Sequence, residues 1–131
     1  MLIAAAIVLS TSAAQSQMSK EFASASALYN IDPAVVCDSF TSIRNFFALV
    51  HAGQTKAAVE MKECVIVHNM VEIAPVDRVS YYRKGLWVLN GRPETVWVSE
   101  GQFDYPSAWT DKCNARGAPE GKPCFKPHRS K

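Results

Sequence analysis

The sequence predicts an α+β fold in which a pair of N-terminal amphipathic helices precedes a small antiparallel β-barrel. Two observations support this prediction. An apolar stripe recurs at helical spacing between residues 36 and 50, and short runs of Val, Ile, Tyr, Trp and Leu crowd residues 64–105. Helices that precede the strands, rather than alternating with them, are typical of α+β architecture. The length of 131 residues, 48% of them hydrophobic, suits one globular domain.

The first residues have the pattern of a cleaved export signal. Residues 2–9 form an uninterrupted apolar run that is too short to span a bilayer, and Ser12 and Ala14 suit a signal-peptidase site after Ala14. No Lys or Arg precedes the run, and retention as a membrane anchor is the alternative. We therefore expect an exported protein, periplasmic or extracellular, with a signal peptide at residues 1–14.

The four cysteines predict two disulfide bonds, because an even number in an exported chain of this size is typical of a disulfide framework. They are Cys37, Cys64, Cys113 and Cys124. Their order alone leaves three pairings open. We favour Cys37–Cys64, which would tie the helices to the first strand. The remaining pair, Cys113–Cys124, would then close a loop in the C-terminal tail.

The helical prediction covers residues 15–63. Asp32 can cap a helix whose first position suits Pro33, and Gly53 stands where the chain would leave that helix. Its apolar stripe consists of Val36, Phe40, Ile43, Phe47 and Val50. A second, shorter helix is expected over residues 54–63.

The β domain is predicted over residues 64–111. We expect strands at residues 64–68, 71–74, 76–83, 86–89 and 95–98, with a turn at Lys84-Gly85 and a hairpin loop at residues 90–94. In that hairpin, Trp87 and Leu89 alternate with Leu86 and Val88, so both faces are apolar. Both faces should therefore be covered, as in a closed barrel or in a sheet packed against helices.

This stretch resembles the SH3-like domains of exported bacterial proteins over about a third of the chain. The resemblance depends on Cys64-Val65-Ile66-Val67, Val71-Glu72-Ile73, the Trp87 strand, and Val96-Trp97-Val98 leading into Gly101-Gln102-Phe103. In such domains the Val-Trp-Val strand is followed by a short helical turn and a last brief strand. The resemblance implies a five-stranded barrel that binds cell-wall peptides or envelope proteins rather than catalysing a reaction. The Asn69-Met70 turn departs from the family's Gly-containing turn.

The aromatic residues supply the candidate binding site. Seven of them lie within residues 81–109: Tyr81, Tyr82, Trp87, Trp97, Phe103, Tyr105 and Trp109. Successive strand residues point to opposite faces, so one set could fill the barrel while the other packs under the helices. The functional alternative is an exposed groove formed by Tyr82, Trp87 and Trp109, because Trp and Tyr dominate interface hot spots.

Motifs for catalysis or metal binding are weak. The chain has no Gly-rich phosphate loop, His-Glu-x-x-His or Gly-x-Ser-x-Gly motif. Cys64 and His68, like Cys124 and His128, are four residues apart, but neither pair has the two-residue spacing usual between zinc-binding cysteines. We expect no enzyme activity, no cofactor and no metal ion.

Residues 112–131 are predicted to form an irregular, basic, Pro-rich tail, closed by the second disulfide. The tail carries a formal charge of +5, and Pro119, Pro123 and Pro127 disfavour helix and central strand. It could be solvated or attracted to an anionic surface. Membrane contact is expected only through the signal segment or this tail, and no nucleic-acid partner is expected.

These observations together predict an exported, non-catalytic binding module that engages a cell-envelope protein or peptidoglycan through an aromatic surface. One alternative is a structural or accessory subunit of a larger envelope or extracellular assembly, docked through the helix stripe. The other is a small hydrolase or an inhibitor of one.

Overall fold

The computed structural model describes residues 22–89, 92–116 and Cys124, and it has an α+β fold built on a six-stranded antiparallel sheet. The elements in chain order are β1 (Leu28–Tyr29), β2 (Ala34–Cys37), α1 (Phe40–His51), α2 (Thr55–Val59), β3 (Cys64–Val67), β4 (Glu72–Val79), β5 (Tyr82–Leu89), β6 (Arg92–Ser99), a 3₁₀ helix (Glu100–Gln102) and α3 (Pro106–Arg116). The strand order in the sheet is β1-β4-β5-β6-β2-β3. The signal segment predicted at residues 1–14 lies outside the described residues.

The sheet curves into a half-barrel because the chain connecting β1 to β2 is short. These two strands are four strand spacings apart in the sheet order, about 19 Å if the sheet were flat. The five chain steps from Tyr29 to Ala34 span at most about 17 Å. Accordingly, both edge strands contribute to one core, through Leu28 from β1 and Val67 from β3.

β2 occupies the residues where the first helix was predicted to begin, and that part of the prediction is wrong. All four β2 residues are buried, because the strand lies between β6 and β3 and is covered on both faces. α1 begins at Phe40, where the Ser39 hydroxyl accepts the Ser42 N–H. Segment 15–63 therefore contains two strands as well as two helices.

Gly85 lies inside β5, and the turn predicted there is also wrong. Gly85 is opposite both Pro75 and Val96, and a Cβ atom in its place would collide with the Ile73 side chain. The hairpin between β4 and β5 turns instead at Ser80 and Tyr81, where Ser80 has a φ of 57°. The glycine permits close packing between neighbouring strands, not a turn.

The buried residues form three clusters, which we name by position. The inner core, inside the curved sheet, comprises Leu28, Ala34, Val36, Val67, Ile73, Val96, Val98 and Phe103. The outer core, between the sheet and the helices α1 and α2, comprises Val35, Cys37, Ile43, Phe46 and Ala58. The α3 cluster comprises Phe22, Ala27, Tyr29, Ile31, Trp109 and Cys113.

Both predicted cysteine pairings are present. Cys37–Cys64 joins residues directly opposite each other on β2 and β3, and Cys113–Cys124 joins α3 to the tail. The tail prediction is wrong for residues 112–116, which are the last turns of α3. Among the described residues, no helix is long and apolar enough to cross a membrane.

Candidate functional site

Trp109 does not belong to an exposed surface, so that part of the predicted groove is wrong. Its side chain is 2% exposed, and its indole Nε1–H donates to the backbone oxygen of Asn30 at 2.9 Å. The Phe22 ring contacts it edge-on, with ring centroids 5.1 Å apart. Trp109 therefore holds α3 against the β1–β2 corner.

Tyr82 and Trp87 lie on opposite faces of β5, so they cannot form one groove. Trp87 is half-buried against the inner core, whereas Tyr82 is half-buried against the outer core. Their odd spacing along the strand places them on different faces. These two positions match the alternative expectation, in which one set of aromatic residues fills the barrel and the other packs under the helices.

Tyr82 belongs to an aromatic cluster between α1 and the sheet. The Phe40 ring lies 5.9 Å from Tyr82 and 5.2 Å from Trp97, measured between centroids, and Phe47 lies 6.2 Å from Tyr82. The Arg44 guanidinium lies 5.5 Å from the Phe40 centroid, within the range of a cation–π contact. These rings are partly open to solvent, unlike the fully enclosed inner core.

The apex of the β4–β5 hairpin extends this cluster to the surface. Tyr81 is 73% exposed, the highest value among the exposed large apolar and aromatic residues of the described chain. Val79, also exposed, is directly opposite Tyr82 and therefore shares its face. We call Val79, Tyr81 and Tyr82, together with Phe40 and Phe47, the hairpin surface.

Glu100 fixes the apex in place. Its backbone N–H donates to the Tyr81 oxygen at 2.8 Å, and its carboxylate pairs with Arg78 at 3.1 Å and with Arg83 at 3.5 Å. Arg78 Nε also lies 3.3 Å from the Ser80 oxygen. Because several contacts determine the loop conformation, the positive φ of Ser80 is maintained without a glycine.

Sequence reasoning missed Tyr81 because the turn lacks the usual signals. Ser80-Tyr81 contains no Gly, Asn, Asp or Pro, so a strand was predicted through it. The adjacent tyrosines did indicate that one of the two must face away from the core.

A cleft of about 430 Å³, lined by both apolar and charged residues, lies between α3 and the β1–β2 corner. Its charged groups satisfy one another: Arg116 pairs with Asp32 at 2.8 Å, and Lys112 pairs with Asp104 at 2.9 Å. Surface ion pairs of this kind contribute about 0–1 kcal/mol to stability. Among the described residues that line the cleft, no buried side-chain nitrogen or oxygen lacks a hydrogen-bond partner.

Metal ligands are not grouped in the described part of the chain: no set of three His, Cys, Asp or Glu residues could hold an ion there. Cys64 and Cys124, the cysteines of the zinc alternative, are both in disulfides.

Burial raises the pKa of the Tyr29 hydroxyl above its ordinary value of 10.0, and the nearby Glu72 carboxylate raises it further, partly offset by the Ser24 backbone.

Comparisons with protein-family models, curated proteins and solved structures give no match for this chain.

Proposed function

We propose that this protein is an exported, non-catalytic binding module that engages a cell-envelope protein through the hairpin surface. The observation that carries the proposal is Tyr81, an aromatic side chain that is 73% exposed on a loop fixed by contacts from Glu100 and Arg78. A loop whose backbone is already ordered loses little conformational entropy on binding, and a Tyr side chain has few rotatable bonds to immobilise, so such a residue can act as an anchor.

The composition of the surface favours a protein over peptidoglycan. The Phe40 ring meets Tyr82 and Trp97 at interplanar angles of 79° and 59°, and all three rings are partly buried against the outer core. A sugar ring stacks on an open, flat aromatic face, and within the hairpin surface it is Tyr81 that offers one. Val79 adds an exposed aliphatic group opposite Tyr82, and a mixed aromatic and aliphatic surface suits an apolar pocket on a protein.

An SH3-like barrel remains part of the proposal. It is supported by the chain after β6, where the 3₁₀ helix Glu100–Gln102 is followed by buried Phe103 and by an antiparallel bridge between Asp104 and Tyr29. That sequence of strand, helical turn and brief pairing is what the resemblance implies. Two strands from before the helices complete the sheet, which enlarges the five-stranded pattern.

Export is supported by the two disulfide bonds, which persist in oxidising compartments. The alternative of an assembly subunit docked through the helix stripe is not favoured, because that stripe faces the protein's own sheet. Ile43 is fully buried there, and Phe40 and Phe47 pack against the same cluster.

The test is site-specific photocross-linking in intact cells that produce the full-length chain. A benzophenone amino acid replaces Tyr81 in one variant and Tyr105, which is 40% exposed away from the hairpin, in the matched control. We expect a discrete protein adduct from position 81 and none of that mass from position 105. Excess unlabelled protein should compete the adduct away.

The identified partner is then titrated with purified variants. Tyr81→Ala should weaken binding at least about tenfold, as expected for an interface anchor, and Tyr105→Ala should leave it within about twofold. Co-sedimentation with purified peptidoglycan is run in parallel. Sedimentation that depends on Tyr81, without a protein adduct, would contradict the proposal and favour the cell-wall alternative.

A further inference from the structure

The two edges of the sheet differ in backbone pairing, and this difference points to a second binding site, independent of the hairpin surface. β1 has only two residues, and its outer side is occupied: Tyr29 and Asp104 exchange two backbone hydrogen bonds of 2.8 Å. β3 pairs with β2 on one side, and no described residue pairs with its other side. The sheet therefore ends in one closed edge and one open edge.

The register identifies the backbone groups that point outward from β3. Asp38 N–H donates to the Glu63 oxygen, and Cys37 is opposite Cys64, with Cα atoms 4.0 Å apart. Hydrogen-bonded and non-hydrogen-bonded pairs alternate in an antiparallel ladder, and the shorter Cα separation marks the second kind. The N–H and C=O groups of Cys64 and Ile66 therefore face away from β2, toward the open edge.

The side chains of β3 are suited to a further strand. Val65 is 48% exposed and Ile66 is 37% exposed, and they lie on opposite faces of the sheet. The strand contains no Pro or Lys, and its register with β2 runs without a bulge, so apart from its length of four residues β3 lacks the usual features that protect an edge. The Cys37–Cys64 disulfide holds this ladder in place before any partner arrives.

The charge at one end of the edge sets the polarity of a partner strand. Asp38 and Glu63, both exposed and joined by a backbone hydrogen bond, stand at the Cys64 end. Lys62 is the cation beside them, so the formal charge of these three residues is −1. At the Val67 end, which lies opposite Ala34, the nearby Asp32 carboxylate is already paired with Arg116 at 2.8 Å, so a cationic residue in the partner is favoured at the Cys64 end.

We propose that β3 binds an extended segment of a partner protein by antiparallel strand addition. The segment carries β-branched residues opposite Val65 and Ile66 and a Lys or Arg at its C-terminal end, beside Asp38 and Glu63. Main-chain hydrogen bonds to Cys64 and Ile66 supply affinity, and the flanking charges determine direction.

Three fluorescein-labelled peptides test this, each titrated by fluorescence anisotropy against the full-length oxidised protein. The first, fluorescein-Gly-Gly-Thr-Val-Thr-Val-Thr-Lys-amide, carries the label on its N-terminal amine so that the Lys side chain stays charged, and it has the proposed polarity. The second has the same composition with Lys at the N-terminus. The third has the first sequence with alternate amides N-methylated, which removes the hydrogen-bond donors of one strand edge. We expect the first to bind at least about tenfold more tightly than either of the others, since one lost charged or backbone hydrogen bond accounts for that ratio.

Ile66→Pro is the decisive variant, because it removes the outward N–H without removing a bond to β2, and proline is tolerated where an edge N–H faces solvent. It should reduce binding of the first peptide at least about tenfold while thermal unfolding stays cooperative. Should this variant fail to fold, Ile66→Lys takes its place, with Val59→Lys, which changes an exposed residue of α2, as the matched control.

Equal affinity for the first and N-methylated peptides, or unchanged binding by the Ile66 variants, would overturn the proposal. So would failure of the first peptide to bind. Because Tyr81 lies on the β4–β5 hairpin and not on β3, Tyr81→Ala should leave peptide binding unchanged. Loss of this site and loss of the hairpin surface are therefore distinguishable.

Discussion

The two faces of the curved sheet differ in composition and in how completely they are covered. Strands β5 and β6 contribute to both: Val96 and Val98 point into the mostly aliphatic inner core, while Tyr82 and Trp97 point into the half-open aromatic cluster under α1. Because successive strand residues point to opposite faces, this one hairpin supplies side chains to both the inner core and the aromatic cluster. The enclosed face should account for most of the stability, and the partly open face leaves aromatic side chains accessible to a partner.

Truncation of the inner face should have the largest effect. Ile73 is fully buried between β1 and β5, and Ile73→Ala should reduce the free energy of unfolding by about 4 kcal/mol, through lost burial and the cavity left behind. Urea denaturation followed by tryptophan fluorescence measures this change. A loss below about 1.5 kcal/mol would mean that the inner core is no tighter than the outer one.

A larger side chain on the inner face should reduce the free energy of unfolding almost as much. Gly85→Ala places a methyl group against the Ile73 side chain and 3.0 Å from the Ala74 carbonyl oxygen, and we expect a loss of about 3 kcal/mol. Gly101→Ala is the matched control, because its new Cβ atom would meet only the Ser99 hydroxyl at 3.9 Å. The same denaturation experiment should show Gly101→Ala near the wild type, and equal losses for the two variants would contradict the packing explanation.

Gly85 also illustrates what the sequence could and could not predict. Alternating apolar residues predicted a sheet covered on both faces, and the even cysteine count predicted both disulfides. A glycine after a lysine has the same local signature in a turn as at a close contact between strands, and only the position of Ile73 on the neighbouring strand distinguishes the two cases. The local sequence pattern gave a wrong prediction where the contact that decides the structure is made by a residue distant along the chain.

β2 and Trp109 were mispredicted for the same reason. The residues of β2 continue the apolar stripe of α1, and it is pairing with Val98 and Trp97, some sixty positions away, that makes them a strand. Trp109 was placed on the surface because Trp and Tyr dominate interface hot spots. Its burial depends on the carbonyl of Asn30 and the ring of Phe22, neither of which is a neighbour in sequence.

Truncation of the outer face should be less costly than truncation of the inner face. Phe40→Ala removes more atoms than Ile73→Ala, but Phe40 is only partly buried, so we expect a loss of about 2 kcal/mol. Chemical denaturation again provides the measurement. A loss that exceeds that of Ile73→Ala would reverse the proposed ranking of the two faces.

The free energy of unfolding should depend on pH through the Tyr29 hydroxyl. Tyr29 donates to Glu72 Oε1 at 3.1 Å, and burial raises its pKa above 10.0 in the folded state. Below pH 10 its contribution to stability is fully present, and it is lost as the pH rises through the raised pKa, because the unfolded chain releases the proton first. Tyr29→Phe should cost about 1 kcal/mol at neutral pH and decline less steeply in alkali than the wild type. Tyr81→Phe, at an exposed position, should follow the wild-type curve.

The smallest expected effect is a gain at the hairpin apex. Ser80 has a φ of 57°, which glycine adopts without strain, so Ser80→Gly should raise the free energy of unfolding by about 0.5 kcal/mol after the entropic cost of glycine. A differential scanning calorimetry series provides the comparison. Ser80→Val should instead be destabilising, because a β-branched residue is disfavoured at positive φ. No difference between the two variants would mean that the loop does not retain this conformation in solution.

The position of β2 between β3 and β6 has a consequence for the order of folding. β4, β5 and β6 are joined by short connections and can pair as soon as they are synthesised, whereas β1 waits for residues 72–73. β2 can pair with β3 once residues 64–67 are available, but its other edge waits for residues 97–98. Long-range pairing is slow, because closing a long loop costs entropy before any contact forms. β1 is thus synthesised first but stays unpaired until β4 is available, and one edge of the apolar strand β2 stays open until β6 is available.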